Sequence, residues 1–398
     1  MTENVIILGA GFSYDAGIPM LSNFIERMWE YSIRGVAGDI NLTNEDKNIL
    51  SEALDIRREM DGYHGRVAFD DRNIEDILSM LVFNLLGGGT SDRNKLKAFT
   101  NAISKTIELA CNVTHPGIPT GPRPQYSAIS EGNEIYRRFW KAMFEWHKRG
   151  QTLPTIITFN YDLVLERALL QVLTNTYYNH HDNPVPFRNM SLDYQYKHFP
   201  QQNYEVNYTR YGSFESKEGT VLKYSNTPMQ HDSAHIELLK LHGSLNFPNS
   251  KSKSDSDLPS ITNVIENPYI LPPVSNKQSN GSGNQSWKTA LQRLREAKNV
   301  VFVGYSLPKT DMYMQFFLKA ALGPNQELNK LFVFDPVLWE DSEASSDMKK
   351  RYEMCFSEQF RSRIVFKPEL SRTSDTKFSG TTEHFVKVME DKPGSILF

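Results

Sequence analysis

Along the chain, short, mostly apolar runs alternate with longer stretches in which apolar side chains recur every three or four positions. The short runs are Val5 to Leu8, Thr155 to Thr158, Glu237 to Leu241, Val300 to Val303, Leu331 to Phe334 and, more weakly, Ile364 to Phe366. Strands buried on both faces need such runs, because neither side of the pleat meets water. The first five break off within two residues at Gly, Asn, His or Asp. Helical periodicity fills several of the gaps between them. Asp162 opens one such stretch, and Ser286 opens another whose Trp287, Ala290, Leu291, Leu294 and Ala297 share one face. Strand and helix in alternation predict an α/β fold with a Rossmann-like, doubly wound parallel sheet.

Residues 9–154 separate the first two strands, far more than a crossover requires, so an inserted subdomain is expected there. Its periodic stretches, Asn23 to Ile33, Ile74 to Leu86, Leu96 to Ala110 and Glu134 to Lys148, predict a mostly helical insert with Ser22 and Asn73 as N-caps. The Pro/Gly-rich segment 115–125 breaks it as a loop. A second irregular region, 175–235, holds eight of the eighteen tyrosines, and 275–286 has a flexible-loop composition. The expected division is 1–20 with 151–345 as the sheet domain, 21–150 as the large helical insert, and 346–398 as a C-terminal extension packing on the core. No internal repeat is evident.

Composition narrows the function. With 44 Lys and Arg against 47 Asp and Glu, a net charge of -3, there is no basic excess of the kind that neutralises phosphates, so direct nucleic-acid binding is not expected. No apolar run approaches the roughly 20 residues that span a bilayer. The N-terminus lacks a basic segment before its short apolar run, so no signal peptide and a cytoplasmic address are expected. Cys111 and Cys355 are the only cysteines, too few for a four-thiolate zinc site, and no metal is expected.

Chemistry concentrates where the strands end. Gly9-Ala10-Gly11-Phe12-Ser13 follows the first strand; such a turn either lets the backbone approach a pyrophosphate or is simply a tight exit. Asn160 and Asp162 follow the second, as a polar pair facing a ligand or as a turn and a helix cap. His242-Gly243 ends the third, with a titrating imidazole or a structural one. Gly304-Tyr305-Ser306-Leu307 ends the fourth as a turn or ribose contact, and Asp335-Pro336 the fifth as a ribose ligand or a strand terminator. His64-Gly65 has no strand before it and reads as structural. In an open parallel sheet the carboxyl ends of the strands line the ligand crevice. A phosphate turn, an amide, an imidazole and ribose-binding groups gathered there describe a dinucleotide site containing a base.

The ordered set Gly9-Ala10-Gly11-Phe12-Ser13, Gly17-Ile18-Pro19, Thr158-Phe159-Asn160-Tyr161-Asp162, His242-Gly243 and Gly304-Tyr305-Ser306-Leu307 resembles the sirtuin superfamily. That resemblance implies an NAD-binding Rossmann-like domain in which the residues matching Asn160 and His242 lie at the nicotinamide ribose and are catalytic. Two departures are visible. No cysteine occurs between Cys111 and Cys355, where deacylating sirtuins carry a zinc module, and Met20-Leu21-Ser22 replaces their Asp-Phe-Arg. Tyr161 after Asn160 and the form Gly304-Tyr305-Ser306-Leu307-Pro308 are similar to sirtuin-like effector subunits of bacterial antiphage systems, which hydrolyse NAD and use no zinc module.

The expected function is therefore an NAD glycohydrolase releasing nicotinamide and ADP-ribose, with NAD as substrate and no further cofactor. His242 acts as general base, while Asn160 holds the ribose and orients water. Gly9, Ala10, Gly11 and Ser13 hold the diphosphate, Asp162, Gly304 and Ser306 shape the pocket, and Asp335 contacts the adenosine ribose. A sirtuin-type protein deacylase and a non-catalytic NAD or ADP-ribose sensor are the alternatives. The resemblance further implies a toxic effector of abortive infection, a homo-oligomer paired with a separately encoded partner such as a HerA-type ATPase. The tyrosine-rich stretch and the helical insert are candidate contact surfaces, the former equally a locally packed loop.

Overall fold

A computed structural model describes residues 3–62, 70–113, 134–174, 187, 189–211, 217–224, 233–250, 260–271, 284–309, 311–369 and 379–397. The 115–125 loop, His64-Gly65 and most of 275–286 lie outside these residues.

In chain order the elements are β1 (Asn4–Leu8), α1 (Phe24–Arg34), the small hairpin β2 (Val36–Ala37) and β3 (Ile40–Asn41), α2 (Asn44–Asp61), α3 (Ile74–Asn84), α4 (Thr90–Ala110) and α5 (Glu134–Lys148). Then come β4 (Thr155–Thr158), α6 (Val164–Thr174), β5 (Asn189–Asp193), β6 (Gln202–Tyr211), β7 (Lys217–Tyr224), β8 (Ser233–Lys240), α7 (Asn284–Glu296) and β9 (Asn299–Val303). Last are α8 (Met312–Leu322), β10 (Lys330–Phe334), α9 (Glu343–Glu353), α10 (Glu358–Arg361), β11 (Ile364–Val365) and α11 (Thr382–Asp391).

One sheet runs β11-β10-β9-β1-β4-β8-β5-β6-β7. Every pair from β11 to β5 is parallel, and β6 and β7 extend it antiparallel. The order reverses direction at β1, which sits between β4 and β9, and a doubly wound sheet opens its crevice at such a switch point. Alternate strand residues feed the two faces. Ile6, Leu8, Ile156, Val301 and Val303 pack with α5, α6, α11 and the insert, whereas Val5, Ile7, Ile157, Val300 and Phe302 pack with α7, α8 and α9. The α/β, Rossmann-like reading with a helical insert is therefore the observed architecture.

Register explains why the strand-end motifs meet. Leu8 pairs with both Thr158 and Val303, Val303 pairs with Phe334, and Thr158 pairs with Lys240. Four strands thus end level with Leu8, and the residues that follow leave from one edge of the sheet.

Several local expectations are corrected. Region 175–235 is not irregular throughout, since it supplies β5, β6 and β7. Its Tyr194 and Tyr196 are buried core side chains, so they are not contact surface. Ser22 does not cap α1; residues 21–23 make a 3-10 turn and Asn23 holds the cap position without a side-chain bond. Asn73 does cap α3, accepting from Glu75 N. α7 begins at Asn284, and Ser286 instead donates its hydroxyl to the carbonyls of Tyr194 and Gln195. Helix α2 carries a capping box between Thr43 and Asp46 that the periodicity alone misses.

Candidate active site

The level strand ends open into a cavity of about 680 Å³. Ala10, Gly11, Asn160, Asp162, His242, Gly304, Ser306 and Asp335 line it; Gly9 and Ser13 do not. Those two stand one layer back. Asn160 Nδ2 donates to the Gly9 carbonyl and to Ser13 Oγ, each at 2.9 Å. A carbonyl can only accept, so the amide nitrogen must be the atom facing Gly9, and Oδ1 is left as the acceptor.

The glycine turn also differs from a cradle that offers all its amides. Gly9 N donates to Val303 O, Gly11 N to Gly304 O and Phe12 N to Gly9 O. The first two bind the turn to the end of β9 and the residue after it, and the third closes the turn on itself, so only part of it remains for a phosphate. Gly304 sits at φ 62, and a Cβ there would meet Phe12 N at 2.3 Å. The contact between the two turns therefore excludes any side chain at this position. Next along the chain, Leu307 holds φ 47 with its side chain fully buried; burial stabilises a left-handed conformation that a branched residue otherwise resists.

His242 is buried beside the ring of Phe159 at 5.1 Å between centroids, and Phe159 lies 4.8 Å from Tyr305 on its other side. Its carbonyl accepts from Leu271 N. Gly243, at φ 88, turns the chain sharply under Tyr269, whose carbonyl would lie 2.1 Å from a Cβ. Tyr161 donates its hydroxyl to Leu271 O at 2.8 Å, and burial pushes that phenol well above its ordinary range. Its backbone carbonyl accepts from Leu245 N, tying the β4 turn to the segment after His242.

Asp162 Oδ1 caps α6 by accepting from Val164 N, and its Oδ2 accepts no hydrogen bond among the described residues. Asp335 Oδ1 accepts from Val337 N. Burial raises the Asp335 carboxyl above the usual range, with the Val337 amide and Arg351 pulling the other way. Ser306 lines the cavity, and its carbonyl accepts from Arg351.

Sequence reasoning missed three other parts of the lining. Ile18, with Phe24, Ile74, Leu78, Ile103 and Ile107 of the insert, forms an apolar wall. Gly380, Thr381 and Thr382, at the start of α11, close another side. Thr382 donates to Phe12 O at 3.1 Å, and Tyr136 of α5 donates to the same carbonyl at 2.9 Å. Asp15, Glu75 and Asp311 complete an acidic set, with no Lys or Arg among the described lining residues. The helical period of 74–86 and 96–110 marks those apolar residues as a buried face without saying what they face.

Among the described residues no group of three or more His, Cys, Asp or Glu is arranged to hold a metal. Cys111 is half-buried, its thiol pushed up to about 12 by burial.

A SIR2-like domain profile matches residues 154–355, just over half of the 398. No curated protein matches the sequence. Among solved structures the chain is similar to one described under the structural basis for the mechanism and regulation of Sir2 enzymes, at 12% identity and TM-score 0.30, covering 90% of this chain and 93% of that one. It is also similar to a point mutant of a Sir2 homologue in complex with ADP-ribose, at 11% identity and TM-score 0.27, covering 88% and 91%.

Proposed function

Because this chain belongs to the SIR2-like domain family, we propose that it is an NAD glycohydrolase. The observation that carries the reading is the meeting of Asn160 and His242, from the turns after neighbouring strands β4 and β8, on one cavity at the switch point of the sheet. The acidic lining supports it, since carboxylates favour the cationic nicotinamide end of NAD. With no Lys or Arg among those lining residues, the diphosphate is left to backbone amides and hydroxyls such as Ala10, Ser306 and Thr381.

In the proposed reaction the bond from ribose carbon to nicotinamide nitrogen breaks, its electron pair leaving with neutral nicotinamide. An oxocarbenium develops at the ribose and water attacks it. His242 accepts the proton from water or from a ribose hydroxyl, while Asn160 Oδ1 accepts a hydrogen bond that orients the nucleophile. Nicotinamide, ADP-ribose and one proton result. The hydroxyls of the adenosine ribose are placed at Asp335. In setting, we take the chain to be the toxic effector of a bacterial antiphage system, a homo-oligomer held latent until a HerA-type ATPase engages it; the motif forms resembling such effectors support this.

Incubation with NAD, with and without a candidate partner, and chromatography of the products test the reaction. Nicotinamide and ADP-ribose in equal amounts are expected. Nicotinamide released only in the presence of an acyl-lysine peptide, or binding without turnover under every condition, contradicts the proposal.

A further inference from the structure

Directly beneath the cavity floor lies a charged pair that plays no part in the chemistry above. Lys240, the last residue of β8, and Glu166, in the first turn of α6, have side chains 2% and 1% exposed and meet at 2.9 Å. The Lys240 ammonium also donates to the backbone carbonyl of Asp162 at 2.5 Å. Tyr194 donates its hydroxyl to Glu166 at 3.2 Å, and Asn246 donates in turn to Tyr194.

The place of this contact matters more than its charge. Pairing of β4 with β8 ends at Thr158 and Lys240, with one further bond from Leu241 N to Thr158 O. Beyond it the chains part, one into Asn160-Tyr161-Asp162 and the other into His242-Gly243, and meet again where Leu245 N donates to the Tyr161 carbonyl. From β8 itself, the Lys240 side chain reaches across that divergence from a point two residues before His242 to a carbonyl two residues after Asn160.

Stability does not account for the pair. A buried ion pair gains little over neutral groups of similar shape, because taking two charges out of water offsets their attraction. This one is also incompletely satisfied: Glu166 Oε2 and the nearby Asp162 Oδ2 accept no hydrogen bond among the described residues. Under-satisfied buried polar groups mark sites where geometry is held for another purpose.

We infer that Lys240 is a positioning residue for NAD cleavage, fixing the distance between Asn160 and His242 by tying the turn of one to the strand of the other. The inference rests on the NAD reading, and displacement of a reacting group by about 1 Å lowers turnover on the order of a hundredfold.

Two variants separate positioning from stability. Glu166→Gln keeps the acceptor for Tyr194 and leaves Lys240 on the Asp162 carbonyl, so kcat stays within about threefold of wild type. Adding Lys240→Met in that background removes only the tie; kcat falls on the order of 10- to 100-fold with KM within about twofold and melting within a few degrees. A folded double variant with wild-type kcat overturns the positioning role. A double variant that does not fold, or one whose loss lies in KM alone, overturns it as well, by assigning the pair to stability or to binding. Wild-type protein measured in parallel with its activating partner keeps the two ideas apart: no nicotinamide release there sinks the NAD reading itself.

Discussion

A Cβ on Gly304 would meet Phe12 N at 2.3 Å and the Gly11 carbonyl carbon at 2.4 Å, at a φ of 62 that side chains rarely adopt. Gly304→Ala is therefore expected to destabilise the protein by about 3 kcal/mol or more in chemical denaturation, since backbone cannot yield as a flexible side chain would. Asp335 gives a prediction in pH. Its folded carboxyl is raised above 3.8 chiefly by burial, so the fold prefers the protonated form. That contribution is fully present below 3.8 and is lost as pH rises through the raised value. Asp335→Asn keeps the acceptor for Val337 N while removing the charge. Its melting temperature is expected to exceed wild type at pH 7, with the gap closing below pH 4; an unchanged gap across that range contradicts the assigned cause. If Asp335 holds the adenosine ribose, the same variant raises KM for NAD.

Among elements, α5 and α11 reach the site from distant parts of the sequence. Tyr136 and Thr382 both donate to the Phe12 carbonyl, and Arg138 of α5 pairs with Glu383 and Glu390 of α11. Tyr136→Phe and Thr382→Val are each expected to lower stability by about 1 kcal/mol, because one hydroxyl still serves the carbonyl. Together they should lower it by more than the sum, read from a double-mutant cycle in denaturant; strict additivity would show that the two hydroxyls do not share one acceptor. Much of this scale was legible. Short, mostly apolar runs marked β1, β4, β8, β9 and β10, and abrupt polar stops marked the strand ends that register brings level. The hairpin of β6 and β7 was missed, because it falls in the stretch read as irregular, although Tyr204, Val206 and Tyr208 alternate at the period of a strand. By contrast, nothing in the period of α3 and α4 says that Ile74 and Ile107 face a cavity, and nothing local to Gly380 says that α11 returns to the glycine turn. Those contacts are made only by tertiary packing.

For the whole molecule, charge is nearly balanced, and no helix among the described residues is long and apolar enough to cross a membrane. An unrestrained NAD hydrolase would exhaust its host, so activity is expected to depend on assembly. Light scattering after size exclusion should show a homo-oligomer, with nicotinamide release rising when a HerA-type ATPase is added; a monomer at full rate that ignores every partner removes that idea. The reaction itself stands or falls on Asn160 and His242. In one preparation, nicotinamide release by Asn160→Ala and by His242→Ala is compared with wild type under activating conditions, with melting recorded for each. A fall of at least about a hundredfold at unchanged melting is predicted for both, and full activity in either folded variant contradicts the assignment.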